Sequence, residues 1–522
     1  MTPSSNFREQ QVSEQNRYDL LVVGGGINGV GIARDAAGRG LSVILCEQDD
    51  LASHTSSAST KLIHGGLRYL EYKEFGLVRK ALQERERLLR AAPHIMWPLR
   101  FVMPHMPDLR PGWLIRAGLF LYDHLAKREL LPGSRGIDMR RHPAGAPLVD
   151  SIRRGFVYSD GWVDDARLVV LNALDAKERG ARILTRTKLV AARRDSGEWH
   201  ARLMRPDGST FEVRARAIAN AAGPWVADVL HGALGRDARH AVRLVKGSHI
   251  VTKRLFDHDH AYIFQNPDKR IIFAIPYEHD FTLIGTTDVE YRDDPAKVAI
   301  DGDETRYLCE SINRYFKHKI TPADVCWTFS GVRPLLEEEN ADNPSAVTRD
   351  YKLEMDEGDG APLISVFGGK ITTFRKLAEE ASNVLCRALG SSAGAWTAGV
   401  PLPGGDIAHA RFEPFADAFA KRHAWLPASL ARRYARAYGT CASRVVGNAT
   451  SLDGLGQAIA PGIYEAELRY LRDAEWATCA QDVLWRRSKL GLHVEPGTMD
   501  AVTTAIDGWF AGSHATSAHT AH

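Results

Sequence analysis

The chain has 522 residues, is 44% hydrophobic and 25% charged, and carries a net charge of only +3. That length exceeds one ordinary core, so two or three domains are expected, and the small charge excludes a global field for nucleic acid. Six scattered cysteines, with no C-x-x-C pair, exclude a disulfide or metal framework and suggest reduced thiols.

The first 17 residues are polar and include Glu9 and Glu14, which fits neither a signal peptide nor a transit sequence. Residues 18–47, YDLLVVGGGINGVGIARDAAGRGLSVILCE, then read as strand, glycine turn, helix and strand, ending on an acid. Gly24, Gly26 and Gly29 fit G-x-G-x-x-G: a tight turn, backbone approach to a pyrophosphate, and close helix–strand packing. The N-terminus of the new helix would hold the phosphates, and Glu47 stands at the distance expected of a carboxylate accepting from an adenosine ribose.

After a Ser- and Gly-rich stretch (48–71), residues 74–92 pattern as an amphipathic helix with Leu77, Val78, Leu82, Leu88 and Leu89 on one side. Pro93, Pro98, Pro104, Pro107 and Pro111 are expected to break regular structure. Segment 113–131, WLIRAGLFLYDHLAKRELL, has an apolar face edged by Arg116, Lys127 and Arg128; it suits a helix lying on anionic lipid or, equally, a core-facing helix. Helix and strand signals fill 163–194, a hairpin-like pair follows (200–203, 210–213), and an apolar strand runs into NAAGPW, where Gly223 closes a second crossover. Between 240 and 330, short apolar runs alternate with turns, as in an inserted antiparallel sheet. The α/β pattern returns at 362–382, and from about 400 helical signals dominate. There, DVLWRRSKLGL reads as an interaction surface or a solvated helix end.

The stretch after Glu47 separates a flavin from a nicotinamide. An NAD domain moves on quickly to its next helix, whereas here small hydroxyl residues close on Gly65 and Gly66. Ser57, Ser59, Thr60 and Lys61 can donate to a flavin and its ribityl chain, and His64 to Leu67 can bring backbone near the ring.

These motifs resemble FAD-dependent glycerol-3-phosphate dehydrogenase, within the D-amino-acid-oxidase-like flavoprotein superfamily. The resemblance continues in NAAGPW (220–225), KGSHI (246–250), IGTTD (284–288), GVRPL (331–335), FGGKITTFRKLAE (367–379), EAELRYL (465–471) and TCAQDVLWRRSKLGL (478–492). It departs at Lys246, where arginine is common, and at Ser488, where threonine is usual; His54 adds unusual bulk to the Ser-rich stretch.

The resemblance implies a Rossmann-type α/β FAD domain (18–95, 150–240 and 331–395), an antiparallel-sheet substrate or cap domain (96–149 and 241–330), and an all-α C-terminal domain (400–510). Residues 1–17 and 511–522 are expected to be unordered tails. The implied reaction is oxidation of sn-glycerol 3-phosphate to dihydroxyacetone phosphate, with FAD reduced. Arg333, set by Pro334 in a turn, is the expected fork for the phosphate, the alternative being a surface arginine bridging loops. Arg68 and Tyr69 would reach the same cavity, although Tyr69 could instead be core packing. Gly368 and Gly369 let backbone approach the flavin; Lys370 would balance charge on reduction or hold substrate oxygen, and Thr372 begins a helix aimed at the same edge. His249 is the expected general base, with a purely structural histidine as the alternative and Arg333 or water as substitutes.

For partners, the resemblance points to ubiquinone or menaquinone, an anionic membrane surface on the inner face of the cytoplasmic membrane, and a homodimer. Two rivals stand: an oxygen-using oxidase of the same superfamily, and a flavin-binding partner protein that turns nothing over. An amino-acid substrate is disfavoured, because Arg333, Lys370 and Arg68 exceed what a single carboxylate needs.

Overall fold

The computed structural model describes residues 16–106, 110–237, 240, 242–268, 270–336 and 351–519. The expected tail before Asn16, the end of the expected tail after His519, and Pro107 lie outside these residues. The chain forms two compact units: one takes in Leu168–Leu244 and Arg333–Val400 with the N-terminal segment to Ser56, the other Ser57–Arg167, Val245–Val332 and the chain from Pro401.

The first unit is built on an eight-stranded sheet among the described residues. Its centre is parallel: Arg17–Val23 lies between Thr210–Asn220 and Val43–Cys46, with Leu363–Phe367 and Arg182–Leu184 further out. Leu20 to Val23 of the first strand and all of Val43–Cys46 are buried, as parallel strands covered on both faces must be. Helices Ile27–Gly38 and Phe374–Ala388 pack together, with Gly31 admitting the Phe374 ring. The hairpin expected near 200–213 is present as Glu198–Met204 against Thr210–Asn220. This is the expected Rossmann-type architecture.

The second unit holds a ten-stranded, mostly antiparallel sheet. A parallel join sets Ala261 and Tyr262 beside Phe101 and Val102. Residues 57–95 fall in this unit: Leu62–Ile63 pairs with Trp162 and Gly161, and helix Phe75–Ala91 buries Val78, Leu82, Leu88 and Leu89, as its pattern predicts. The proline-rich stretch departs from expectation, because strand Met96–His105 runs through Pro98 and Pro104. These two stand opposite Gly161 and Gly155, outside the short pairing at Phe101 and Val102, so their missing N–H groups fall where one side of the ladder is unused.

The C-terminal region is helical apart from a small two-stranded sheet, Ala458–Ala460 with Ile463–Tyr464. Helices Phe412–Arg422, Ala428–Tyr438, Glu465–Glu475 and Met499–His519 bury Phe412, Leu430, Tyr434, Leu468 and Ile506 in one core. The last helix continues past 511, where an irregular tail was expected. The DVLWRR segment is neither a solvated helix end nor an interaction surface: Asp482, Val483, Leu484 and Arg487 are buried. Its charges are satisfied inside the fold, with Asp482 accepting from the Thr478 N–H at 2.8 Å and Arg487 donating to the Glu475 carbonyl at 3.1 Å.

Candidate active site

In the first unit the glycine fingerprint does what its spacing requires. Gly24 has φ +110°, and a β-carbon on Gly29 would lie 1.9 Å from the Gly24 carbonyl oxygen. Neither position admits a side chain. A β-carbon on Gly26 would meet only Ser56 Oγ, at 3.1 Å, so the backbone that opens the helix Ile27–Gly38 stands accessible. Ser56 Oγ accepts from the Ile27 N–H at 3.0 Å. Glu47, at the end of the second strand, is buried; it accepts from the N–H groups of Gly25 at 2.6 Å and Asp49 at 2.8 Å. Burial raises its pKa above the ordinary carboxylate value against those two bonds. The carboxylate therefore braces the glycine turn and keeps lone pairs for a ribose. His54, whose role was open in the sequence, bonds Asp49 at 2.8 Å and sets its ring edge against Trp225 at 4.7 Å.

The two later crossovers of this unit carry the remaining predicted residues. Gly223, φ +58°, opens the turn Gly223–Trp225 after strand Thr210–Asn220. Gly368 and Gly369 have φ +73° and +100°, and Asn28 of the first helix donates to the Gly368 carbonyl at 3.2 Å, tying the glycine turns together. Lys370 caps the turn Ile371–Thr373, and Thr372 is buried at the foot of the helix Phe374–Ala388. Arg333 is half-buried and sits within strand Val325–Leu336, not at a turn as expected. Pro334 is accommodated there as another strand residue.

In the second unit the Ser-rich loop is knitted to Asp165. Ser59 Oγ donates to Asp165 at 2.7 Å, Lys61 Nζ at 2.6 Å, and Lys61 Nζ also donates to the Ser57 carbonyl at 3.1 Å. Thr60 Oγ1 lies 2.9 Å from His249 Nε2. Gly65 donates its N–H to Tyr122 Oη at 2.8 Å, and Tyr122 bonds Asp160, which also holds Arg85 at 2.6 Å. Burial pushes the Asp160 carboxyl up while Arg85 opposes it. Gly66 has φ +75°, and a β-carbon there would strike the Tyr69 ring at 2.2 Å. Tyr69 and Arg68 thus lie on the turn Leu67–Leu70, half-buried, with Tyr69 folded back over the glycine; His64 precedes it at intermediate exposure.

His249 lies in strand Val242–Lys253, buried, its ring stacked on Phe329 at 4.7 Å and 15°. Lys61 Nζ lies over the Phe329 ring, 5.0 Å from its centre. Trp327 follows, stacked on Trp485 at 4.6 Å, and beyond it Lys489 is buried with a lowered pKa, set by burial and opposed by Asp164. Asp165, Phe329 and Trp485 are contributors that sequence reasoning missed. The one available signal was Asp165 at the start of a predicted helix, where a carboxylate is favoured. Lys246, the departure noted in the sequence, pairs with Glu304 at 2.7 Å beneath this strand.

Residues 19–374 match the FAD dependent oxidoreductase family, and residues 395–509 match the C-terminal domain of alpha-glycerophosphate oxidase. The chain belongs to the FAD-dependent oxidoreductases, and its glycine turn, accessible helix N-terminus and buried Glu47 fit that cofactor. Among its relatives, a glycerol-3-phosphate dehydrogenase of Pseudomonas aeruginosa is 57% identical over 92% of this chain and 93% of its own. A D-erythritol 1-phosphate dehydrogenase of Brucella abortus is 53% identical over 96% and 99%, and the aerobic glycerol-3-phosphate dehydrogenase of Escherichia coli 51% over 93% and 96%. The solved glycerol-3-phosphate dehydrogenase from Bacillus halodurans, complexed with FAD, superposes with TM-score 0.78 at 28% identity, covering 97% of this chain and 93% of that one.

Proposed function

We propose that this chain oxidises sn-glycerol 3-phosphate to dihydroxyacetone phosphate with FAD and passes the electrons to a membrane quinone. The observation that carries the reading is end-to-end likeness, at 51% identity or more, to three glycerol-3-phosphate dehydrogenases. When bound, FAD supplies the two-electron acceptor for the C2 hydride. The first unit holds it through Gly24, Gly26, Gly29, Glu47, Gly223, Gly369 and Thr372. Because the side chains of Ser59, Thr60 and Lys61 bond Asp165 and His249, this loop serves the cofactor through its backbone. Arg333 and Arg68 take the phosphate, Tyr69 lines the substrate, and Lys370 supplies a cation to the substrate oxygen. His249 takes the proton of the C2 hydroxyl.

A membrane role draws on the surface of the second unit. Helix Gly112–His124 leaves Trp113 73% and Phe120 58% exposed, with Leu114 and Leu121 beside them, and Tyr72 and Phe75 are exposed as well. Arg79, Lys127 and Arg128 line a cavity of about 530 Å³ at the end of that helix. An apolar face with basic neighbours suits insertion at an anionic lipid surface, where quinone resides. No helix of the described residues is long and apolar enough to cross a membrane. A homodimer completes the proposal on likeness alone.

The Brucella relative, interleaved in identity with the glycerol-3-phosphate dehydrogenases, makes D-erythritol 1-phosphate the second substrate to test. Anaerobic mixing of the yellow holoenzyme with each polyol phosphate decides it. Rapid loss of flavin absorbance with glycerol 3-phosphate, and return of colour with a soluble quinone, is expected. Bleaching only by D-erythritol 1-phosphate moves the assignment to that substrate, and bleaching by neither removes both.

A further inference from the structure

His249 is gripped from three directions by residues distant in sequence. Across the antiparallel pair it stands opposite Gly285, and a β-carbon on Gly285 would lie 2.2 Å from His249 Cδ2. That is closer than any real contact, so the ring occupies the space a side chain would need. A face of the ring meets Phe329 at 4.7 Å, nearly parallel, and the Lys61 ammonium, fixed to Asp165 at 2.6 Å, lies 5.0 Å from the Phe329 ring centre. The third hold is Thr60 Oγ1, 2.9 Å from Nε2. The strand beneath is locked as well: Ser248 donates its N–H to Thr287 Oγ1 at 2.8 Å, and Thr287 and Ser248 hydroxyls both reach Glu304.

We propose that Thr60 is the positioning residue that presets His249 for proton abstraction, with Gly285 and Phe329 as the slot that holds the imidazole in place. The inference rests on reading His249 as the base. Which imidazole nitrogen carries the hydrogen is decided by the bonds the ring makes. In this arrangement Thr60 is the donor, a direction that the 2.9 Å contact between Oγ1 and Nε2 permits, so that nitrogen keeps its lone pair. The substrate C2 hydroxyl then replaces Thr60 as donor to a nitrogen already in basic form and already aimed, and its proton ends on Nε2. Lys61 and Asp165 are the charged groups behind the slot, and they offset each other.

The test compares Thr60→Val, Thr60→Ser, Gly285→Ala and His249→Gln holoenzymes, with flavin content checked by absorbance. Steady-state turnover of glycerol 3-phosphate is followed from pH 5.5 to 9 with a soluble dye as acceptor. Thr60→Val is expected to lower kcat about tenfold with KM little changed, the loss of one hydrogen bond to a reacting group. The acid limb of its kcat profile should move to higher pH, since the neutral ring has lost a donor. Thr60→Ser, which keeps the hydroxyl, should restore most of the rate and the original limb. Gly285→Ala, whose methyl group displaces the ring from the slot, should share the Thr60→Val signature and carries the test where Thr60→Val loses flavin. A wild-type pH profile in Thr60→Val, or an equally impaired Thr60→Ser, overturns the proposal while His249→Gln still shows the base to be needed. Full activity in His249→Gln overturns the base reading and this inference with it.

Discussion

Acidification should weaken this fold through one histidine of the second unit. His94 is 0% exposed, and among the described residues neither of its ring nitrogens has a hydrogen-bond partner. It packs where the chain closes on Gly404 and Gly439, with Arg167 and Arg436 nearby. Burial, then those two guanidinium groups, pushes its pKa from 6.5 to about 3. The folded state therefore favours the neutral ring. Its stability is fully present above pH 6.5 and is lost as pH falls from 6.5 toward 3, because the unfolded chain binds the proton first. At about 1.4 kcal/mol per pH unit, the loss reaches about 2 kcal/mol at pH 5 and about 4 kcal/mol at pH 3. The assay is thermal unfolding of the holoenzyme and of His94→Leu at matched ionic strength from pH 7.5 to 5. For a chain of this size 2 kcal/mol corresponds to about 2 °C, so the Tm difference between the two proteins should change by that amount, in favour of the variant, on going to pH 5. Parallel Tm curves over that range would show that His94 is solvated or protonated in the fold, and the reasoning would fail.

Two further outcomes follow from the geometry. Gly29→Ala places a methyl carbon against the Gly24 carbonyl oxygen, so the variant should purify colourless, with flavin absorbance lost while the second unit's near-ultraviolet circular dichroism persists. Trp113→Asp with Phe120→Asp should abolish flotation with anionic liposomes at low salt and leave turnover with a soluble dye within about twofold, since both side chains face water; flotation equal to wild type would mean the lipid contact lies elsewhere.

What the sequence displayed well were features whose physics is local. The fingerprint from Leu20 to Glu47 needs only neighbours in the chain to define strand, turn and helix, and the same holds for the crossovers at Gly223 and Gly369. Pairings made across the fold were hidden. Pro98 and Pro104 read as breakers because proline is ordinarily foreign to a ladder, and only the partner strands show that their N–H groups are not needed there. DVLWRRSKLGL read as an interaction surface or a solvated helix end because it sets two arginines and a lysine beside Trp485 and Leu492, whereas Asp482 accepts from Thr478 and Arg487 donates to Glu475 inside the protein. Thr60, Lys61 and His249 were each singled out, yet nothing in their order announces that one hydroxyl meets one imidazole, or that the lysine faces Asp165. Arg333 was expected at a turn because it follows a short apolar run; the strand Val325–Leu336 runs on through Arg333 and Pro334.

The ion pair between Arg167 and Glu475 gives the helical region a hold on the rest of its unit that no linker could supply. Arg167 Nη2 reaches Glu475 Oε1 at 2.8 Å and the Ala437 carbonyl at 3.0 Å, with both charged groups out of water. A gene shortened near codon 400 would take away the carboxylate and the carbonyl that hold that guanidinium and bare the indole of Trp327 at the same stroke. The helical region is in that sense masonry: its carboxylate and its indole finish surfaces that the earlier stretch of the unit leaves incomplete.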